Sequence, residues 1–103
     1  MRLQNTYEIK RIVIDAEAKC YCPLGKDWYT NHFAIEMELA DFLPDYCDVD
    51  DFVAKNINGK EFIIEKAVAL LYDYIKEEYR PAYCKVTSFV DDATHSAVTV
   101  EKY

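Results

Sequence analysis

Apolar and polar residues alternate along the first third of the chain. Residues 7–22, "YEIKRIVIDAEAKCYC", are predicted as a half-buried strand, because every second residue from Ile12 to Cys22 is apolar and the positions between them include Asp15, Glu17 and Lys19. Pro23 should stop strand pairing after Cys22, so residues 23–30, "PLGKDWYT", are predicted as a loop. Residues 31–39, "NHFAIEMEL", show the same alternation and predict a second strand.

The period changes in the middle of the chain. Residues 48–56, "DVDDFVAKN", predict a short helix, because acidic residues in a first turn interact favourably with the helix dipole. Residues 60–79 predict a long helix that ends before Pro81. Its apolar positions are spaced by four, three and four residues and form one helical face: Ile64, Val68, Leu71 and Ile75.

The last part of the chain is rich in β-branched and aromatic residues. Residues 82–90 and 94–103 predict two strands, joined by a tight turn at residues 91–93, "DDA". The predicted order is ββααββ in one α+β domain over residues 1–103, with a four-stranded antiparallel sheet and both helices on one face. Such a sheet leaves two edges and one face uncovered, and we expect several subunits to close into a shared barrel.

Composition and charge restrict the function classes. The formal net charge of -7 disfavours nucleic acid as a partner, because acidic surfaces repel phosphate backbones. No apolar run approaches the ~20 residues needed to cross a bilayer, and the first residues contain no apolar signal segment. We therefore expect a cytoplasmic protein whose four cysteines are free thiols: Cys20, Cys22, Cys47 and Cys84.

Cys22 is the first candidate for chemistry. It ends a predicted strand beside an irregular loop, where a thiol can be partly exposed and act as a nucleophile. The alternative is a small buried hydrophobe, which is how we interpret Cys20. The spacing of Cys20 and Cys22 does not match a zinc pair, and the two histidines are scattered, so no metal is expected. A redox pair of these two cysteines would be strained.

Carboxylates and histidines supply the other candidates. Glu65 either complements the helix dipole or anchors a guanine-type edge, since a carboxylate accepts two parallel N–H bonds. Asp27 is a possible general acid near Cys22, or else a loop carboxylate. His32 is predicted at a strand end, and His95 is predicted to be solvated after the last turn. Either imidazole can shuttle protons, but the sequence places neither beside the thiol.

Taken together, these residues resemble a known family. The element order, with "YCPLG", "FAIEMEL", "GKEFIIEKAVALLYDYI" and "AYCKVTSFV", resembles the tunnelling fold (T-fold), and most of all the 7-cyano-7-deazaguanine (nitrile) reductases and their small archaeal amidinotransferase relatives. The resemblance implies that Cys22 attacks a nitrile to give a thioimide and that Glu65 holds the purine edge. It implies an aspartate acid, which maps to Asp27 by distance and to Asn31 by alignment. The histidine that often precedes the glutamate is replaced here by Ile64.

The resemblance leaves the cofactor and the reaction open. Reductases of the family grip the NADPH phosphate with a lysine- and serine-containing stretch, where this chain has "DVDDFVAK". Asp50 and Asp51 would repel a phosphate, so no tightly bound cofactor is expected. Reduction by NADPH and amidine formation from ammonia both stay open, in queuosine- or archaeosine-type 7-deazaguanine metabolism. The alternative is a non-catalytic, purine- or pterin-binding T-fold oligomer. The zinc-dependent branch of the fold needs three histidines, and the chain has two.

Overall fold

A computed structural model describes residues 2–103 and contains two sheets and two helices. The larger sheet has five strands in the order β5-β2-β3-β6-β7, and the smaller pairs β1 with β4. The elements are β1 (Leu3–Gln4), β2 (Arg11–Cys22), β3 (Asp27–Glu38), β4 (Phe42–Leu43), α1 (Tyr46–Asn56), β5 (Lys60–Glu61), α2 (Ile64–Tyr79), β6 (Tyr83–Val90) and β7 (Val98–Lys102).

The predicted four-stranded sheet is wrong, because residues 60–61 form a strand instead of the start of the long helix. β5 pairs in parallel with the end of β2, and α2 begins only at Ile64. The turn before β5 is fixed by Gly59, whose φ of 75° suits glycine, and by Asn58, whose side-chain oxygen accepts a hydrogen bond from the Lys19 amide. Three two-residue strands, β1, β4 and β5, thus interrupt the predicted element order.

Two predicted loops are also different in the structure. Asp27 belongs to β3, because the connection after Cys22 is a tight turn: the Lys26 amide donates to the Cys22 carbonyl at 2.8 Å, and pairing resumes at once with Cys22 opposite Asp27. In contrast, the connection between β6 and β7 covers residues 91–97, not the three residues predicted. Both differences affect residues near Cys22.

One face of the larger sheet forms the core with the helices. Ile14, Ile35 and Val86 lie side by side across β2, β3 and β6 and are buried. α1 packs against β2, while α2 packs against β6 and β7. The opposite face, which we call the open face, has large side chains that are 42–50% exposed: Val13, Trp28 and Phe89. The helices therefore lie on one face of the larger sheet, opposite to Trp28 and Phe89.

Candidate active site

The turn after β2 holds the Cys22 thiol at the rim of the sheet. The Gly25 amide donates a hydrogen bond to Cys22 Sγ at 3.4 Å. Cys22 is half-buried and packs against the edge of the core, so its sulfur is neither sealed inside nor fully solvated. Nucleophilic cysteines have this combination of partial exposure and a nearby N–H donor.

Three segments that are distant in sequence enclose a cavity of about 220 Å³ next to this thiol. The turn after β2 contributes one wall, the start of α2 a second, and the β6–β7 connection a third. We call this the thiol cavity, and its lining residues are Cys22, Leu24, Gly25, Ile63, Ile64, Glu65, His95 and Val98. An apolar lining with a few convergent polar groups is typical of a small-molecule site.

Glu65 lies in the first turn of α2, where the helix dipole favours its carboxylate. The preceding segment is held to the sheet by two hydrogen bonds. The Phe62 amide donates to the Tyr21 carbonyl at 3.0 Å, and the Tyr29 hydroxyl donates to the Phe62 carbonyl. Burial raises the pKa of Tyr29, so the hydroxyl remains a donor. β2 and β3 thereby fix where α2 begins and where Glu65 lies.

The β6–β7 connection is attached to β3 through Asp92. Its carboxylate accepts hydrogen bonds from the Thr30 amide at 2.9 and 3.1 Å and from the Thr30 hydroxyl at 2.7 Å. Lys19 Nζ lies 3.8 Å from the same carboxylate. These contacts, with the Thr30 amide as the largest, lower the pKa of Asp92. The segment that carries His95 is therefore held in place by a charged group.

Asp27 and Asn31, the two positions considered for the acid, lie in different surroundings. Asp27 is directly opposite Cys22 in the β2–β3 pair and is exposed, and its carboxylate accepts a hydrogen bond from the Trp28 amide at 2.8 Å. It is not among the residues that line the thiol cavity. Asn31 is completely buried and donates to Cys20 Sγ at 3.3 Å. The structure therefore places Asp27, and not Asn31, beside Cys22 in the sheet.

The three other cysteines and His32 do not line the thiol cavity. Cys20 and Cys84 are buried, and burial raises the pKa of both thiols, that of Cys84 to about 11. Cys47 is exposed on α1. His32 lies on the open face, where its Nδ1 is 3.1 Å from a Glu17 carboxylate oxygen, in a wider concavity of about 530 Å³ without a thiol.

His95 is the candidate that the sequence alone does not place beside the thiol. It is exposed, as predicted, and it lines the thiol cavity with Cys22 and Glu65. The only sequence signal is its chemical type, since its place depends on the long-range contact between Asp92 and Thr30. Within residues 2–103, no three histidine, cysteine or acidic side chains are grouped closely enough to hold a metal ion. No helix of the described chain is long and apolar enough to cross a membrane.

Comparison with solved structures finds a close match in fold. The crystal structure of the archaeosine synthase QueF-Like in the apo form superposes with a TM-score of 0.81 at 18% sequence identity, covering 92% of this chain and 93% of that one. This similarity confirms the expected tunnelling fold, in the form found in QueF-like proteins. No protein-family profile and no curated protein matches the chain.

Proposed function

We propose that this chain is an enzyme of 7-deazaguanine metabolism that acts on the nitrile of a 7-cyano-7-deazaguanine through a covalent thioimide on Cys22. The observation that carries the proposal is that Cys22 and Glu65 line one cavity, although one ends a strand and the other begins a helix. The fold match to an archaeosine synthase supports the same class of substrate.

Glu65 anchors the base in this proposal. Its carboxylate accepts two N–H bonds from the purine edge, and hydrogen bonds to a charged group contribute about 1.5–3 kcal/mol each. The apolar side chains of Leu24, Ile63 and Val98 line the same cavity and offer apolar contacts to the ring. The base is thus held with its nitrile directed towards the sulfur.

The chemistry balances without an external oxidant or reductant. The Cys22 S–H adds across the C≡N bond: sulfur bonds to carbon, one C–N π bond breaks, and nitrogen gains the proton. Ammonia then attacks the same carbon, the C–S bond breaks, and the amidine and the free thiol are released. Of the two positions to which the family resemblance maps the acid, Asp27 and Asn31, Asp27 carries a carboxylate and lies directly opposite Cys22.

The residues of α1 do not fit the phosphate of a nicotinamide nucleotide. Asp50 and Asp51 are exposed there, and their negative charge repels phosphate. We therefore favour amidine formation over hydride reduction.

A second copy of this chain completes the site in this proposal. The thiol cavity of about 220 Å³ is smaller than the ~300–1,000 Å³ of typical ligand pockets. β5 and β7 are edge strands, and the open face exposes Trp28 and Phe89, so a homo-oligomer would cover both. Sedimentation equilibrium tests this directly, and a protein that stays monomeric at working concentration while fully active contradicts it.

Mass spectrometry of the intact protein tests the reaction. Incubation with 7-cyano-7-deazaguanine should increase the mass of the wild-type protein by that of one molecule of this base. Cys22→Ser should stay unmodified, and Cys47→Ser should form the adduct as wild type does. Ammonium should then release an amidine without NADPH. Glu65→Gln should raise the nitrile concentration needed for half-maximal labelling by roughly 10-fold or more. A wild type that never forms the adduct overturns the proposal.

The alternative is a non-catalytic purine- or pterin-binding oligomer. It is favoured by one observation: neither Asp27 nor Asn31 lines the thiol cavity, so Glu65 is the only carboxylate there. Calorimetric titration with guanine-type and pterin ligands distinguishes the two functions. A pure binder would lose affinity in Glu65→Gln, keep it in Cys22→Ala, and form no covalent adduct.

A further inference from the structure

Proton transfer at Cys22 needs a group that reaches the cavity. The sulfur must lose a proton before it attacks, and the nitrile nitrogen must gain one. Of the residues that line the thiol cavity, those that titrate are Cys22, Glu65 and His95. Because Glu65 is assigned to the purine edge, the imidazole is the remaining group in the cavity that can exchange a proton with the thiol.

The hydrogen bonding of His95 determines which ring nitrogen is available. Nδ1 lies 2.7 Å from the Ser96 carbonyl oxygen. A carbonyl oxygen only accepts hydrogen bonds, so Nδ1 must carry the hydrogen of this contact. In the neutral ring, Nε2 therefore has the free lone pair and can accept a proton. The local backbone thus fixes the tautomer that a general base requires.

Asp92, three residues before His95, attaches the same connection to the sheet. Its carboxylate takes two hydrogen bonds from the Thr30 amide and hydroxyl, and so attaches the β6–β7 connection to β3. Thr30 follows Tyr29, which itself anchors the segment before Glu65. The same stretch of β3 therefore positions both the carboxylate wall and the imidazole wall of the thiol cavity.

We propose that His95 is the catalytic acid–base partner of Cys22, and that Asp92 is a positioning residue that holds it at the cavity. This inference rests on the proposed function, and it assigns to the β6–β7 connection the imidazole that is missing at Ile64. Nε2 takes the proton of the Cys22 thiol, the thiolate bonds to the nitrile carbon, and the imidazolium returns the same proton to the nitrile nitrogen. Atoms and charge balance without another reactant.

Two measurements test the assignment, one with substrate and one without it. The first follows adduct formation with 7-cyano-7-deazaguanine, where His95→Ala should slow the reaction by roughly 10²–10⁴-fold, the usual contribution of general acid–base catalysis. The second measures, without the nitrile, the rate at which iodoacetamide alkylates Cys22. At pH 7 His95→Ala should slow it roughly fivefold or more, and the difference in rate between this variant and wild type should narrow at pH 9, because hydroxide then removes the thiol proton without help from a base.

Control variants separate the roles. His32→Ala removes the other histidine and should match wild type in both assays, while Asp27→Asn tests the competing acid. Free imidazole should raise the rate of adduct formation in His95→Ala. It should not do so in Asp92→Ala, because that variant still contains His95, whose imidazole is displaced from the cavity. The variant that combines His95→Ala with Asp92→Ala should react no more slowly than His95→Ala alone, because the effects of two substitutions are not additive when one residue acts through the other. Thermal unfolding checks that each variant is folded.

The outcomes distinguish this inference from the proposed function. If wild type alkylates in a His95-dependent way but forms no adduct with the nitrile, the proposed reaction fails and the Cys22–His95 partnership stands. If the adduct forms at the same rate in His95→Ala, or slows only in Asp27→Asn, the inference is overturned and the reaction stands. If neither the adduct nor the His95 dependence is seen, both are overturned.

Discussion

The Tyr29 hydroxyl donates a hydrogen bond to the backbone carbonyl of Phe62, and so joins β3 to the turn directly before α2. Tyr29 is almost completely buried, and the residue after it, Thr30, binds the Asp92 carboxylate. One strand segment therefore fixes two of the three walls of the thiol cavity. Changes on this strand should affect the site without touching Cys22 or Glu65.

Tyr29→Phe tests this connection. The variant removes the hydroxyl and leaves the Phe62 carbonyl without that partner, which should lower the free energy of unfolding by about 1–3 kcal/mol. Since about 1 kcal/mol corresponds to a Tm change of ~4–8 °C for a domain of this size, differential scanning calorimetry should detect it. Ligand binding should weaken as well, because Glu65 loses a positional constraint.

Tyr46→Phe is the matched control for Tyr29→Phe. Tyr46 is largely exposed at the start of α1, so the free energy of unfolding of Tyr46→Phe should be within about 0.5 kcal/mol of the wild-type value. Equal Tm values for both variants would show that the Tyr29 hydroxyl does not support the start of α2.

Thiol reactivity should divide the four cysteines into two pairs. Cys22 is half-buried and Cys47 exposed, whereas burial raises the pKa of Cys20 and Cys84 and keeps both as unreactive thiols. Brief alkylation of the folded protein at pH 7.5, followed by peptide mass spectrometry, should therefore label Cys22 and Cys47 first. After unfolding in denaturant, all four should react. Labelling of Cys84 at the rate of Cys47 in the folded protein would contradict this burial.

A site residue could be predicted from the sequence where its position depends on neighbouring residues, and could not where it depends on a contact between distant parts of the chain. Strand alternation and Pro23 predict that Cys22 ends β2, and helical periodicity includes Glu65 in the first part of the long helix. The strand at Lys60–Glu61 is too short for any periodicity, so it was predicted as helix. His95 reaches the cavity through a contact between Asp92 and Thr30, and nothing in the sequence near either residue signals that pairing.

Asn31 shows why aligning one strand does not transfer a catalytic role. Its side-chain amide donates to Cys20 Sγ and accepts from the Ser88 hydroxyl at 2.6 Å, all in the core. Asn31→Asp would replace a donor with an acceptor and bury a carboxylate, so it should lower the free energy of unfolding by ~2–5 kcal/mol and leave adduct formation no faster.

Asn58→Asp provides the comparison for Asn31→Asp. Asn58 is exposed and uses its side-chain oxygen to accept a hydrogen bond from the Lys19 amide, which an aspartate can also do. The free energy of unfolding of Asn58→Asp, measured in urea, should be within about 0.5 kcal/mol of the wild-type value. A faster adduct in Asn31→Asp would instead mean that this position reaches the nitrile and that the core arrangement of Asn31 is wrong.

The Asp92 carboxylate should make stability depend on pH in the acid range. Its pKa is lowered in the folded protein, chiefly by the Thr30 amide, from an ordinary value of 3.8. The folded state therefore binds the proton less tightly than the unfolded state. The stabilising contribution of the Asp92 carboxylate is complete above its unfolded pKa and is lost as the pH falls through the lower folded pKa.

Asp92→Asn has no such carboxylate, so the Tm difference between wild type and this variant should be constant from pH 7 to about 5 and shrink below about 3.8. Asp91→Asn, the neighbouring exposed carboxylate, is the control for the loss of one negative charge. A Tm difference for Asp92→Asn that is unchanged down to pH 3 would show that the charge of Asp92 does not hold the β6–β7 connection, and with it His95, against β3.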